Sequence, residues 1–412
     1  MRTVEAQQEL LTAHAVVPEP VRMSITEALG LLSAEEVTAT VALPGFAQAA
    51  IDGYAVRSVD VGGIAPVGAH PAPLPERLPV VGEVPAGSQQ PVRLQPGQAV
   101  RIHTGAPLPN FADAVLPLDW SDRGVEQVRP SQPVRPGGFV RQIGDDIQPG
   151  DVAVPLHTIL SPAHIALLAA AGHNKVLVHP RPRVSILTVG KEFVDIDRVP
   201  GPGQVFDTVS YALAAAASEA GAEVHRVGIV QGEPARLADI IDTQLLRSEL
   251  LVIAGAVGGK DADEFRELLG DIDTTRVAMH PGSVQGFGLV GDSQTPCIVV
   301  PANPIAALVI FEVMVRPLIR AGLGKAAVQR RTVVARSVRE VRSTVGRRGY
   351  IRARLMRDMQ TQDYLVEGLA GATGAPSHLL AGLAEANAYM IIPAEVERVR
   401  PGDEVEVLFL GA

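Results

Sequence analysis

RVSILTVGKEFVDIDRVPGPGQVFDTVSYALAAAASEAGAEVHRVGIV, residues 183–230, holds the clearest periodic pattern in the chain. VSILTV is an apolar run of strand length, TVSYALAAAASEAG has helical length and composition, and AEVHRVGIV is a second strand. The alternation continues: PARLADIIDTQLL predicts a helix, LLVIAG a strand and DADEFRELLG a helix, followed by strands around 277 and 297 and a helix over 303–321. Strands alternating with helices of about 10 to 15 residues specify a parallel sheet with helices on both faces. Ligands of such sheets sit beyond the carboxyl ends of the strands.

Outside this region the pattern changes. Residues 1–35 read as helical, with Ser24-Ile25-Thr26-Glu27 as a capping box opening a helix before Gly30. Residues 45–140 hold short alternating runs between Pro and Gly, as in LPVVGEVPAG and PGQAVRIHTG, the pattern of a small β domain. Ser161-Pro162 supplies an N-cap and a first-turn proline for HIALLAAAG, which Gly172 closes. After Gly324 come four strands, TVVARSV, GYIRARLM, DYLVEGL and EVEVLFL, around one helix-like run, HLLAGLAEANA: a separate β-rich unit.

The 412 residues are too many for one domain, so three or four compact units are expected. With 47% hydrophobic and 20% charged residues the composition is that of a globular protein, and with 4% aromatics its cores fall to Val, Leu, Ile and Ala. The single cysteine, Cys297, excludes an internal disulfide and a multi-cysteine metal site and suits a reducing compartment. MRTVEAQQELL carries no signal-peptide core, and no run approaches the roughly 18 apolar residues of a membrane span, so a cytoplasmic location without membrane insertion is expected. Net charge is −9, yet residues 315–357 carry 13 Lys or Arg against the single acid Glu340. Basic solvated faces explain such a surplus, and so does a docking surface for an acidic partner. The segment has no nucleic-acid-binding module, so no nucleic acid is expected.

Five acids stand at chain reversals or strand ends: Asp52 in AIDGYAVR, Asp146 in GDDIQPGD, Glu192 in TVGKEF, Asp207 in FDTVS and Asp263 in KDADEF. Carboxylates converging from separate segments suit Mg²⁺, which often also holds substrate phosphates. Taken singly, each also fits the turn and N-cap positions that Asp favours. The glycine-rich AGAVGGKDADEF follows a strand and opens a helix, so its backbone N–H groups suit a phosphate, although it matches neither the P-loop nor the dinucleotide fingerprint. VAMHPGSVQGFG, residues 277–288, breaks at Pro281-Gly282 as a turn shaped for an anion does, but holds no Lys or Arg. His280, neutral at pH 7 by default, is a poor substitute for a permanent cation.

PGFAQAAIDGYAVR, RIHTGAPLPNFADAV, VRQIGDDIQPGD, ILTVGKEF, GIVQGEP, AMHPG, VVPANPIAAL and AEANAYMIIP follow one another in order from residue 44 to residue 393. Together they resemble the molybdopterin molybdenumtransferase family, bacterial MoeA and the E domain of gephyrin. The resemblance implies an elongated homodimer of α/β and β subdomains, four in number. Residues 1–44 with 141–180 form a helical dimerisation subdomain and 45–140 an inserted β subdomain. Residues 181–325 form a molybdopterin-binding, MogA-like α/β domain, and 326–412 a C-terminal β barrel. The implied reaction uses Mg²⁺ and molybdate: adenylated molybdopterin is cleaved, AMP is released and molybdenum is placed on the dithiolene. By the same resemblance Asp52, Asp146, Glu192 and Asp263 match catalytic, metal-facing positions, while Thr104, Asp207, Gly255, His280, Pro281, Gly282 and Asn303 fall where the cofactor is bound.

The departures from the family share a physical direction. Its Thr-Gly-Asp-Glu block is Val189-Gly190-Lys191-Glu192 here, Asp-Ser-Asn is Asp207-Thr208-Val209, and the first Asp of Asp-Asp/Asn-Pro is Gly232. Ser-Gly-Gly becomes Ala254-Gly255-Ala256, with Gly258-Gly259-Lys260 in place of Ser-Val-Gly. Lys-Pro-Gly becomes His280-Pro281-Gly282, and Pro-Gly-Asn-Pro becomes Pro301-Ala302-Asn303-Pro304. Ala256 and Ala302 are expected to put methyl groups where bare backbone meets the ligand, and Ala254, Val189 and Val209 remove polar partners. Each hydrogen bond lost to a charged group is worth about 1.5 to 3 kcal/mol, so several cost decades of affinity. Lys191 or Lys260 is the candidate replacement cation.

Three functions are compatible with these residues: a degenerate scaffold, a working molybdenumtransferase with a shifted pocket, and a sensor that binds molybdopterin without converting it. The scaffold is preferred. Gephyrin's E domain grips a receptor segment between its α/β domain and its barrel, and gephyrin-like bacterial relatives are tied to the division protein FtsZ, whose acidic tail suits the basic segment. Phe311, Met314, Tyr350, Arg316 and Arg320 are the candidate partner contacts.

Overall fold

The computed structural model describes residues 1–63, 73–90, 92–232, 234–257, 260–369 and 380–411, with the side chains of residues 260, 261 and 264 outside that description. The chain divides into two compact units, Arg22–Leu177 on one hand and Met1–Val21 with Val178–Ala412 on the other. Among the described residues no helix is long and apolar enough to cross a membrane.

In Arg22–Leu177 the centre is a five-stranded sheet in the order Ala114–Pro117, Gly53–Val56, Ala99–Ile102, Leu78–Val84, Gln127–Val128. Alternation along Gly53–Val56 sends Tyr54 and Val56 into one apolar cluster and Ala55 into another, which explains why the whole strand is buried. Helix Pro162–Ala170 starts at Ser161 as expected, with His164 supplying the reciprocal half of the capping box. The box expected at Ser24 opens no helix. Val21–Ser24 is a strand beside Lys175–His179, and the Ser24 hydroxyl lies 2.8 Å from that of Thr26 in a turn. Here a side chain able to cap serves a local turn instead, because strand pairing already holds the backbone. The N-terminal helix is Val4–Thr12, capped by Thr3.

The second unit holds the α/β sheet, in the order Glu223–Val230, Arg183–Val189, Leu250–Ala254, Thr295–Val300, Gly286–Val290; the last pair is antiparallel and the others parallel. On strand Arg183–Val189, Val184 and Ile186 face a cluster with Val209, Leu213 and Ile310, while Leu187 faces another with Ile241, Phe265 and Leu269. Period-two alternation therefore feeds two apolar layers, as the sequence pattern requires. Five further strands, Arg348–Arg357, Tyr364–Gly368, Thr332–Ser337, Glu404–Phe409 and Ala388–Ile392, pair in that order, and the last pairs again with the first, closing a β-barrel. Its helix is short, Ala381–Ala384; the beginning of the run expected to be helical lies outside the described residues.

Sheet and barrel are joined by backbone. Met279–His280 pairs in parallel with Arg348 and Gly349, and the Arg348 N–H donates to the Ala278 carbonyl at 2.9 Å. Arg2 pairs with the same stretch, its N–H donating to Arg276 and its carbonyl accepting from Ala278, both at 2.8 Å. The Arg2 guanidinium also meets Asp273 at 2.8 Å. The side chain and N–H of Thr275, and then Arg2, hold the Asp273 carboxyl at about 2, well below its ordinary 3.8. A carboxyl depressed by folding contributes stability above its unfolded value and loses it as pH falls through the folded one. Asp273→Ala is thus expected to lower the thermal midpoint at pH 7, with the gap to the unaltered chain narrowing between about pH 4 and pH 2; a gap independent of pH in calorimetry contradicts this.

Candidate functional site

Register places Thr188, Ala254 and Val300 side by side, so the turns Gly190–Glu192, Gly255–Val257 and Pro301–Asn303 open along one edge of the sheet. Gly255 has φ of 88°, and a Cβ there would lie 2.0 Å from the Val189 carbonyl oxygen. Only glycine lets these two turns touch.

Beyond this edge lies a cavity of about 200 Å³ bordered by Val189, Gly190, Lys191, Val230, Gln231, Gly232, Pro234, Leu237, Phe265 and Leu268. That is below the roughly 300 to 1,000 Å³ usual for small-molecule sites. The described wall offers Lys191 and Gln231 against six apolar side chains, and the Gln231 amide already donates to the Gly190 carbonyl at 2.6 Å. The glycine-rich turn beside it is only partly described: Gly258, Gly259 and the side chains of Lys260 and Asp261 lie outside the described residues. Of the two alanines expected to set a methyl group against the ligand, Ala256 has no exposed surface and Ala302 is half-buried; Ala254, expected as a lost polar partner, is also sealed in the core. Val189, Leu237, Phe265 and Leu268 make the wall. Lys191 is the candidate cation that borders the cavity; the Lys260 side chain lies outside the described residues.

The expected ligand contacts divide sharply. Asp52 and Thr104 are brought together: the Asp52 carboxylate accepts from the Thr104 N–H at 2.8 Å and its hydroxyl at 2.7 Å. Those two bonds, N–H first, hold the Asp52 carboxyl below its usual range, so an exposed, ionised oxygen donor is set in place. Asp146 is exposed in the same unit; Glu192 and Asp263 are exposed in the other. Asp263 is ion-paired to Arg266 one turn along its helix. Among the described residues no group of three or more His, Cys, Asp or Glu is gathered closely enough to hold one metal ion.

Asp207 is not placed to touch a ligand. It has no exposed surface, and its carboxylate accepts from the Ser210 N–H at 3.0 Å, the Ser210 hydroxyl at 2.5 Å and the Thr188 hydroxyl at 3.2 Å, stapling helix Val209–Ala220 to the central strand. Asn303 caps helix Pro304–Ile310, accepting from Ile305 and Ala306. Gly282 has φ of 103°, and a Cβ there would meet Ile310 at 2.7 Å, so the His280-Pro281-Gly282 turn is packed onto that helix. Burial, and then nearby Arg347, keep the half-buried His280 below its usual value and hence uncharged at neutral pH.

A second candidate site lies between the N-terminal helix and the barrel. Its larger part, about 720 Å³, is bordered by Ile391, Pro393 and Val396 among charged residues, while Val399 and Val405, also on its border, turn their side chains into the barrel core. A pocket of about 110 Å³ adjoins it through Arg348, Ile391 and Glu406 and reaches Gln8, Glu312, Arg330 and Tyr350. Glu312 stands on a π-helical turn, Phe311–Val315, inside the helix over 304–322, and such turns recur at functional sites. Burial raises its carboxyl despite Arg330 at 2.6 Å and Arg316 at 3.5 Å.

Of the expected partner contacts, Tyr350 borders the smaller pocket. Phe311 and Met314 are 1% and 0% exposed core residues and present no surface to a partner. Arg316 is buried in ion pairs with Glu219 and Glu312, and Arg320 is half-buried. Much of the basic segment is paired within the chain. Arg336 pairs with Glu404, Arg339 with Glu367, Arg348 with Glu5 and Arg354 with Glu385, while Arg330 meets Glu219 and Glu312. Counting along the sequence could not show this, because most of the acids come from outside the segment. The groove was missed for a similar reason: AYMIIPAEVERV reads simply as barrel.

Three family models match in succession: the MoeA N-terminal region (domain I and II) over residues 2–172, the probable molybdopterin binding domain over 185–321 and the MoeA C-terminal region (domain IV) over 334–410. Molybdopterin molybdenumtransferase 1 of Mycobacterium tuberculosis is 54% identical, covering 100% of this chain and 99% of the relative. Molybdopterin molybdenumtransferase 2 of the same organism is 34% identical over 99% of each. The crystal structure of a molybdopterin biosynthesis MoeA protein from Pyrococcus horikoshii superposes with a TM-score of 0.79 at 29% identity, covering 100% of this chain and 99% of that one. An α/β sheet with its cleft at the strand ends, preceded by a β-rich unit and followed by a closed barrel, defines a multidomain α/β protein of the molybdopterin-handling class. The chain belongs to the molybdopterin molybdenumtransferase (MoeA) family of molybdenum cofactor biosynthesis.

Two stability tests follow from this geometry. Gly255→Ala must displace backbone, and a loss of at least about 3 kcal/mol is expected in urea denaturation; a change within about 0.5 kcal/mol contradicts the close approach of the two turns. Glu312→Ala leaves Arg316 and Arg330 buried without it and is expected to cost about 3 to 5 kcal/mol, whereas a midpoint unchanged in urea shows that the cluster is not coupled to folding.

Proposed function

We propose that this MoeA-family protein has left the ancestral reaction behind and works as a homodimeric scaffold that grips segments of partner proteins. The observation that carries this reading is the contrast between two cavities. The sheet-edge cleft is small and walled by Val189, Leu237, Phe265 and Leu268. The groove beside the barrel is larger and mixes the apolar Ile391, Pro393 and Val396 with charged residues, as peptide recognition surfaces do. The acidic FtsZ tail remains the proposed partner on the resemblance to gephyrin-like relatives; the charge surplus of residues 315–357 supplies less of the attraction than its sum suggests, because intramolecular ion pairs take up part of it.

Molybdenumtransferase activity is the second reading, favoured by the Asp52–Thr104 pair, by Lys191 at the cleft and by the name of the 54% identical relative. Purified protein supplied with adenylated molybdopterin, Mg²⁺ and molybdate separates the two. No AMP above the protein-free control is expected; AMP release that Asp263→Ala abolishes reverses the order of the readings.

A further inference from the structure

We infer that the carboxyl end of the helix over 304–322 is a docking surface for an acidic segment of a partner protein, with carboxylates against Arg181 and Arg320 and apolar side chains on Val16 and Val17; this adds a contact to the scaffold reading and rests on it. The last part of that helix is Arg316–Gly322. Gly322 is buried, and a Cβ there would meet the Val16 carbonyl oxygen at 2.7 Å and the Pro182 ring at 3.1 Å, so both neighbouring stretches of the same unit pack on the final turn. Gly324, with φ of 68°, then reverses the chain, and the Lys325 N–H donates back to the Arg320 carbonyl at 3.1 Å. Arg181, Arg320 and Lys325 are thereby gathered at one end of the helix, beside Val16 and Val17, which are exposed.

The local charge is unbalanced. Arg316 and Arg330 donate to the same Glu219 oxygen, at 2.7 Å and 2.6 Å, and both also meet Glu312. On the far side of Pro182, Arg183 is taken by Glu249. Among the described residues no acid pairs with Arg181 or Arg320. Arg320 lies one turn from Arg316 on the same helix face. Burial, and then Arg316, hold its guanidinium below the usual value; burial, then Arg320 and then Arg181, do the same to Lys325. These cations therefore repel one another where water is partly excluded, a state that an approaching anion relieves. The helix dipole favours a cation at this end, but its charge of about −0.5 does not balance the group. A bare phosphate chain would leave Val16 and Val17 in water. A segment that mixes carboxylates with apolar residues meets the cations and the valines together, whereas a basic segment adds repulsion.

Fluorescence anisotropy of a labelled peptide, three repeats of Glu-Val-Asp-Leu, titrated with the full-length protein tests the inference. Saturable binding that weakens with added salt is expected. Affinity should fall about tenfold for an Arg181→Gln/Arg320→Gln variant and stay unchanged for Arg336→Gln/Arg339→Gln, which removes the same charge from the barrel; circular dichroism checks that both variants are folded. A companion peptide with Ser in place of Val and Leu should bind more weakly, and tripolyphosphate should compete poorly. No binding, equal losses in the two variants, or a serine peptide or tripolyphosphate that binds as tightly overturns the inference and leaves the scaffold reading standing. AMP release in the assay described above removes the scaffold reading, and the inference with it, whatever the peptide does.

Discussion

The short parallel ladder between Met279–His280 and Arg348–Gly349 is the contact on which both candidate sites depend. On one side it holds the His280-Pro281-Gly282 turn; on the other it fixes the strand Arg348–Arg357, whose Arg348 borders the groove. Arg2 adds to the same backbone from the N-terminus, and Glu5 meets Arg348 one turn later. The seam is built from main-chain hydrogen bonds, which are indifferent to side-chain identity. It therefore survives exchange of the family's loop lysine for His280, which burial keeps uncharged.

What the sequence showed well was periodicity. The two-residue alternation of VSILTV feeds two apolar layers, and the helices that follow lie where their lengths put them. The helix inferred at Ser24 failed because a capping serine and a turn serine are the same residue until strand pairing decides between them. Asp52 with Thr104 was legible because both stand in strong motif blocks. That Asp207 staples a helix and Asn303 caps one was not, because a carboxylate or amide that staples or caps is chemically identical to one that binds. The basic surplus of residues 315–357 misled for a different reason: charge adds along a sequence, but pairing happens in space, and the neutralising acids come from as far away as Glu5 and Glu404.

Thr104 holds Asp52 as an exposed carboxylate, and the cavity at the edge of the α/β sheet is bordered mainly by apolar side chains. Ala254 and Ala256 are sealed inside the core and take no part in that border. In the scaffold reading proposed above, recognition uses the groove beside the barrel instead.

The account stands or falls on whether the sheet-edge cleft still binds its ancestral ligand. Titration calorimetry of the full-length protein with adenylated molybdopterin and Mg²⁺ measures that directly. No saturable heat is expected up to ligand concentrations of about 1 mM, the range in which binding energy falls to about 4 kcal/mol. Saturable binding at micromolar concentration, lost on Lys191→Ala, would contradict the account and restore the cleft as the working site.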